Sequence, residues 1–477
     1  MPKPRSDSRL QAEGSILDPR IARPKRTEQR MAMEIRMPSR RWIAPALAAM
    51  VIAAVAARAV EARADDARAR ATAEALRAAD RMRAAEAARL DADLRFYQAR
   101  VAADPWGAND RARVAGLLMQ RARNTGEYQD YLRAEKAARA SLAARGGHNA
   151  PALATLAGAL TAQHRFAEAR AAAEALVAAD PARPSYRATL GEVQLELGDY
   201  AAARATFGSL EAHRAELGVA PRYARWLEMI GRTNDARTLL YNAAREAAGR
   251  GDLPPEQVAW FHLRVGDLEL RAGRLDLAER AFRAGLAAHP EDYRLLGEMA
   301  RLALARGEPE AALALGERAI AQVLDPATLA VMSDAALAAG DSAKSEEYAR
   351  VMEVSVRRQA GALHRGWAVF LLDRGLRVDE VAAQAKVDLR TRRDVYGWDL
   401  LAWSLHAQGR DEDASVAVRR ALALGTRDAT LLYHAGVIER ALGRDASAEP
   451  YLRSALKVNP YFAQARKARA AIDSIRG

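Results

Sequence analysis

The chain has 477 residues, a net charge of +12, only 6% aromatic side chains and no cysteine. The missing thiols exclude disulfides, thiolate metal sites, a cysteine nucleophile and a lipidated N-terminal cysteine. The charge is not a basic stripe: residues 1–41 carry 11 Lys/Arg against 5 Asp/Glu, and the other 436 carry 62 against 56, a mixed surface that argues against nucleic acid. Half the residues are hydrophobic, but many of these are alanine, so any core is built mainly of Leu and Ala. Ala-, Leu-, Arg- and Glu-rich usage predicts helix almost everywhere and no sheet.

Residues 1–41 are polar, basic and broken by Pro2, Pro4, Pro19, Pro24 and Pro38, and read as a disordered leader. Residues 42–57 then run for 16 positions without a charge. That is short for a membrane span but suits the apolar core of an export signal. Arg40-Arg41 precede it, and Ala57-Arg58-Ala59 and Ala62-Arg63-Ala64 supply small-x-small cleavage patterns. Read from Met37, the segment is a well-proportioned signal. Residues 42–64 are therefore expected to be a signal peptide, or a signal anchor that leaves the protein tethered. A cytoplasmic protein with an Ala-rich helix there is the third reading. Residues 65–107 read as a helical spacer and N-terminal cap, with large apolar side chains gathering at Leu94, Phe96, Tyr97 and Val101. Within it, 91–104 looks like the second helix of a half repeat, ended by Pro105.

From 108 to 462 the chain repeats itself. The first unit has Ala115-Gly116, a long turn at 123–131 and a second helix at about 132–144. The next, 150–183, is marked by Leu156-Ala157, Phe166, Ala169 and Leu176. Residues 184–217 are the most regular single copy, with Leu190-Gly191, Gly198, Tyr200, Ala203, Phe207 and Leu210. The same offsets give Gly231, Ala236 and Leu240, after which 249–256 interrupts the phase as a Gly/Pro loop. The period resumes with Val265-Gly266, Gly273, Ala278 and Phe282, then Ala300, Gly307 and Ala312, then Gly340, Ser345 and Ala349. A degenerate unit follows around Trp367-Ala368 and Gly375. The clearest pair comes last. Leu401-Ala402 aligns with Ala435-Gly436, Gly409 with Gly443, Ala414 with Ala448 and Ala421-Leu422 with Ala455-Leu456, each 34 residues apart. Two helices of about 12–14 residues and two short turns fill such a period. The small pair lets the helices lie close, and the Gly closes the first helix. Residues 463–477 read as a polar capping helix.

This pattern resembles the tetratricopeptide repeat, in about ten units, and the last pair is similar to bacterial members of that family. The resemblance implies an all-α, right-handed superhelical solenoid of stacked antiparallel helix pairs, with the first helices lining a concave surface.

Catalytic signatures are missing. There is no phosphate-binding Gly loop, dinucleotide fingerprint, His-Glu-x-x-His or Gly-x-Ser-x-Gly, and no segment outside the repeats is long enough for a catalytic domain. His406 and His434 lie on neighbouring first helices, offset by about six positions, which argues against a shared ligand site. No cofactor or metal is expected. The concave positions are the better candidates for function. They select Asp399, Trp403, His406, Tyr433, Val437 and Arg440 in the last two units, with Arg365 and Val369 before them and Leu263, Asp267 and Leu270 further upstream, and Tyr396, one turn before Asp399, joins the set. Aromatic and Arg side chains dominate interface energetics. The expectation is a non-enzymatic scaffold that takes a peptide or protein on its concave face. Ordinary interhelix packing is the competing role for Trp403 and Tyr433. The rival functions are a structural, oligomerising component of the cell envelope and an accessory subunit of an enzyme complex.

Overall fold

The computed structural model describes residues 40–357 and 365–477, with backbone alone at 40–52, 55, 59, 65, 68, 69 and 72. Met1–Ala71 and Thr72–Gly477 are two compact units. The leader lies outside the described residues up to position 39, as does Met37. The described part of the first unit is helical and belongs to α1 (Arg40–Ala103). No helix among the described residues is long and apolar enough to cross a membrane.

Among the described residues of the second unit, ten first helices alternate with ten second helices. The first helices are α2 (Ala108–Thr125), α4 (Ala150–Ala162), α6 (Pro184–Leu197), α8 (Ala220–Met229), α10 (Pro255–Arg271), α12 (Tyr293–Arg306), α14 (Pro326–Ala338), α16 (Arg365–Asp373), α18 (Val395–Ala407) and α20 (Ala429–Ala441). Their partners are α3 (Tyr128–Ala144), α5 (Phe166–Ala179), α7 (Tyr200–Gly208), α9 (Thr233–Ala248), α11 (Leu275–Ala288), α13 (Pro309–Ile320), α15 (Ser342–Arg357), α17 (Val378–Asp388), α19 (Asp411–Leu422) and α21 (Asp445–Val458). A last helix, α22 (Ala465–Arg476), packs on α21. Among the described residues there is no strand, so the fold is an all-α solenoid.

Packing follows the 34-residue pattern. The small member of the first-helix pair admits a large side chain from the second helix. A Cβ on Gly266 would sit 2.2 Å from the Phe282 ring, and one on Gly436 would sit 2.6 Å from Leu452. Phe282 and Leu452 are themselves fully buried. In most successive pairs first helix also packs on first helix, whereas second helices of neighbouring pairs do not come so close. The first helices are therefore the inner, concave layer. The last part of α1 closes the N-terminal end, where Leu90 and Leu94 bury against Val114, Leu117, Leu118 and Ala134.

Two local expectations fail. The turn expected at 123–131 is only two residues, because α2 continues to Thr125 and Gly126 takes a left-handed φ of 67°. The most regular copy has a truncated second helix: α7 stops at Gly208, and a short 3-10 turn at Glu211–His213 follows. Phe207 compensates by stacking on Trp226 of α8 at 5.9 Å.

The solenoid winds tightly enough to touch itself. The turn that closes each early first helix meets the loop that opens the first helix six pairs later. A Cβ on Gly198 would lie 2.3 Å from the Arg393 carbonyl, and one on Gly231 2.4 Å from the Gly425 carbonyl. Both glycines have φ above 70°, so each is required twice, by its dihedral and by its neighbour. Hydrogen bonds follow the same register. The Arg393 amide donates to the Leu197 carbonyl at 3.2 Å, Thr426 Oγ1 to the Met229 carbonyl at 2.5 Å and Asn459 Nδ2 to the Leu270 carbonyl at 3.1 Å. Carbonyls left over at a helix C-terminus are thus satisfied by the next turn of the superhelix. At the start of the array, Gly126 meets Val323 in the loop before α14 in the same register. The corresponding loop before α16 includes residues 358–364, outside the described residues.

Candidate partner-binding face

Two walls of the concave layer differ in chemistry. The first is charged. On α10, Arg264, Asp267 and Arg271 recur at i, i+3 and i+7, which puts them on one face. Asp267 accepts from Arg264 at 3.2 Å, from Arg271 at 3.0 Å and from Arg301 of α12 at 3.0 Å. Glu228 of α8 takes Arg264 at 3.4 Å and a second contact from Arg271. Glu298 of α12 lies 2.5 Å from Arg301. Burial alone would lift the Asp267 pKa, but Arg271, Arg301 and Arg264 outweigh it and hold the carboxyl well below the usual range. Glu298 goes the other way: burial pushes it up, Arg301 answers only in part, and Asp267 adds repulsion.

The second wall is aromatic. Trp403 stacks on His434 with centroids 4.1 Å apart and planes 11° from parallel, and on His406 at 5.0 Å. Its Nε1 donates to Asp373 at 2.9 Å, and Asp373 also accepts from Gln464 at 3.0 Å. Tyr433 sets its ring edge-on to Phe462 at 5.7 Å. His434 Nδ1 pairs with Asp399 at 2.7 Å, and both side chains are fully buried. Arg365 reaches the other Asp399 oxygen at 3.2 Å. Burial would raise the Asp399 pKa, but His434 and then Arg365 hold it below the usual range. Tyr396 joins the walls, with the Arg365 guanidinium 4.6 Å and the Arg225 guanidinium of α8 5.2 Å from its ring centre.

Most of the side chains selected from the sequence thus lie on these two walls, in several different roles. Asp267, Arg365, Tyr396, Trp403 and His406 are half-buried. Asp399, at 0% exposed, and Tyr433, at 5%, have no surface to offer a partner, because each is enclosed between successive first helices. Leu270 is likewise core rather than groove. Arg440 is exposed and donates to Ser474 on α22, away from the stacked rings. His406 and His434 bind different carboxylates, yet both rings rest on Trp403. Sequence reasoning passed over Arg225, Glu228, Arg264, Arg271, Glu298 and Arg301. A signal existed: Asp267 and Arg301, Arg264 and Glu298, and Arg365 and Asp399 are each one 34-residue period apart.

A cavity of about 450 Å³ opens in the charged wall between α10, α12 and α14. Trp260, Leu263, Arg264 and Asp267 line one side, Tyr293, Arg294, Glu298 and Arg301 the middle, and Asp325, Thr328 and Val331 the other. Such a mixture of rings and paired charges can hold a polar chain segment by stacking and exchange of hydrogen bonds. Among the described residues no cluster of three or more His, Asp or Glu is placed to hold a metal ion.

Family models described as tetratricopeptide repeat match residues 155–213, 263–326 and 429–462. Comparison with curated proteins finds no match. Among solved structures, the chain is similar to the APC/C hetero-tetramer Cut9-Hcn1, at 12% identity over 77% of this chain and 87% of that chain, with a TM-score of 0.32. It is similar to a tetratricopeptide repeat protein from Parabacteroides merdae, at 18% identity over 52% and 98%, with a TM-score of 0.32. It is also similar to PilW, a widely conserved type IV pilus biogenesis factor, at 15% identity over 55% and 98%, with a TM-score of 0.31. At these scores none of the three bears on function.

Proposed function

Because the chain is a tetratricopeptide repeat protein, we propose that it is a non-enzymatic interaction scaffold that takes a polar peptide or protein segment on its concave face. The observation that carries this reading is the cavity between α10, α12 and α14, where Trp260 and Tyr293 stand beside Arg264 and Arg301. Extended segments suit a surface built from successive first helices. Asp267, Arg365, Tyr396, Trp403 and His406 form the rest of the contact surface. Asp399 acts behind it by fixing Arg365 and His434. The uncharged run at 42–57 supports a place in the cell envelope, by export or by tethering.

A photo-crosslinking side chain placed at Trp260 tests the binding reading. A control position is Val416, exposed on α19. A defined partner band from position 260, absent from 416, is the expected outcome. Equal labelling from both positions overturns the concave-face reading. N-terminal sequencing of the mature chain tests export: an intact 1–64 segment in a soluble cytoplasmic fraction overturns it.

A further inference from the structure

The six-pair register leaves two rims without a partner among the described residues. Turns that close α2, α6, α8 and α10 are covered by loops one superhelical turn later, whereas the turns closing later first helices meet no such loop among the described residues. A Cβ on Gly307, Gly340, Gly375, Gly409 or Gly443, at the turns closing α12 to α20, would meet nothing within 4 Å. At the other end the loops that open α2, α6 and α8 meet no earlier turn among the described residues, and they are largely exposed. Their counterparts one turn later are covered: Asp394, Thr426 and Asn459 are all buried. The two open rims are the same two kinds of surface that already bind each other inside the chain.

We propose that a second copy of this chain docks head to tail on these rims and continues the superhelix in the six-pair register. With α22 and α1 kept side by side as successive units, the turn closing α14 falls on the loop before α2 of the next copy. The turns closing α18 and α20 fall on the loops before its α6 and α8. The exposed side chains agree with this register. Leu337, at the end of α14, is 57% exposed, and Trp106, in the loop before α2, is 81% exposed. The register brings the two together. The loops before α6 and α8 border an open hollow of about 450 Å³ lined by Asp180, Arg183, Ser185, Glu216 and Gly218. In this register it receives the Gly409 and Gly443 turns, whose Arg410 and Arg444 exchange their pairing with Asp413 and Glu412 for Asp180 and Glu216 of the next copy. The docking surfaces differ on the two partners, so the contact is heterologous and does not close after two copies.

Sedimentation velocity on the full chain, from low to high micromolar, tests this together with two variants: Leu337→Glu on one rim and Trp106→Glu on the other. Both positions are exposed, and an unchanged circular dichroism spectrum checks that each variant folds. The expected result is wild-type mass rising with concentration in steps of one chain, loss of every species above one chain in each variant alone, and recovery of a two-chain species, and nothing larger, when the variants are mixed. Mixing leaves one intact rim on each, so only a heterologous contact gives that pattern. A wild type that stays a single chain throughout, variants that assemble as the wild type does, or a mixture that stays monomeric overturns the proposal.

Discussion

The charged wall of α10 and α12 and the aromatic wall of α18 and α20 occupy the same layer of the same repeat, yet they are held together differently. At Asp267 one carboxylate serves three guanidiniums. At Trp403 one ring is packed by two imidazoles and fixed by a single hydrogen bond. Charges deprived of solvent are stable only as a complete set, since each leaves its partners uncompensated when removed. Stacked rings lose mainly area and dispersion when one is cut back. The repeat fixes where a concave side chain sits, and the chemistry at that position decides whether the wall is brittle or forgiving.

The largest effect is expected where both modes meet. Asp399→Ala leaves Arg365 and His434 without their shared acceptor inside a buried site, and a loss of about 3–5 kcal/mol in urea-unfolding stability is expected. A value below about 1 kcal/mol would show that the second wall does not depend on its ion pairs. Trp403→Ala comes next, at about 2–3 kcal/mol, because the ring is half-buried and its neighbours relax in part. If partner capture fails in this variant while stability holds, Trp403 is a contact residue and not a packing one.

Acid pH separates the two carboxyls of the charged wall, Asp267 and Glu298, by sign, and groups Asp399 with Asp267. The folded pKa values of Asp267 and Asp399 lie below their unfolded values. Their contribution is therefore present above the unfolded carboxyl pKa, near 4, and lost as pH falls further through the folded values. Asp267→Asn is expected to lower stability at pH 7 by about 2 kcal/mol and to flatten the decline below pH 4. The smallest effect belongs to Glu298→Gln. Its folded pKa is raised, so ionisation as pH climbs past the unfolded value works against the fold. The amide is expected to be neutral or to gain up to about 1 kcal/mol at pH 7. A loss as large as that of Asp267→Asn would make the two carboxyls equivalent and remove the distinction drawn between them.

Much of this fold is legible along the chain because its rules are local. Gly409 and Gly443 close helices, Gly266 and Gly436 admit large neighbours, and the 34-residue phase carries both signals. The concave residues follow from the same phase, so Asp267, Arg365 and Trp403 were within reach. Local cues also mislead. The polar stretch after Arg123 resembles a long turn, but Gly126 alone reverses the chain. The good offsets of 184–217 do not show that α7 ends at Gly208. What no local rule supplies is the contact between turns. Thr426 and Met229 are nearly 200 residues apart in sequence, and nothing near either one announces the other. The burial of Asp399 has a nearer origin, since Arg365 and His434 come from the two flanking repeats, about one period away on either side.

The seam between turns also bears on how the molecule comes apart. A solenoid whose repeats touch only their neighbours is a one-dimensional chain, free to melt from its ends and to open in the middle. The bonds from Arg393 to Leu197, Thr426 to Met229 and Asn459 to Leu270 add a second direction of coupling. Pair ten cannot fray without releasing pair four, and pair four is flanked on both sides. The array then melts as a patch of lattice, with the three helix pairs between Ala108 and Leu210 held in place by repeats that are made last.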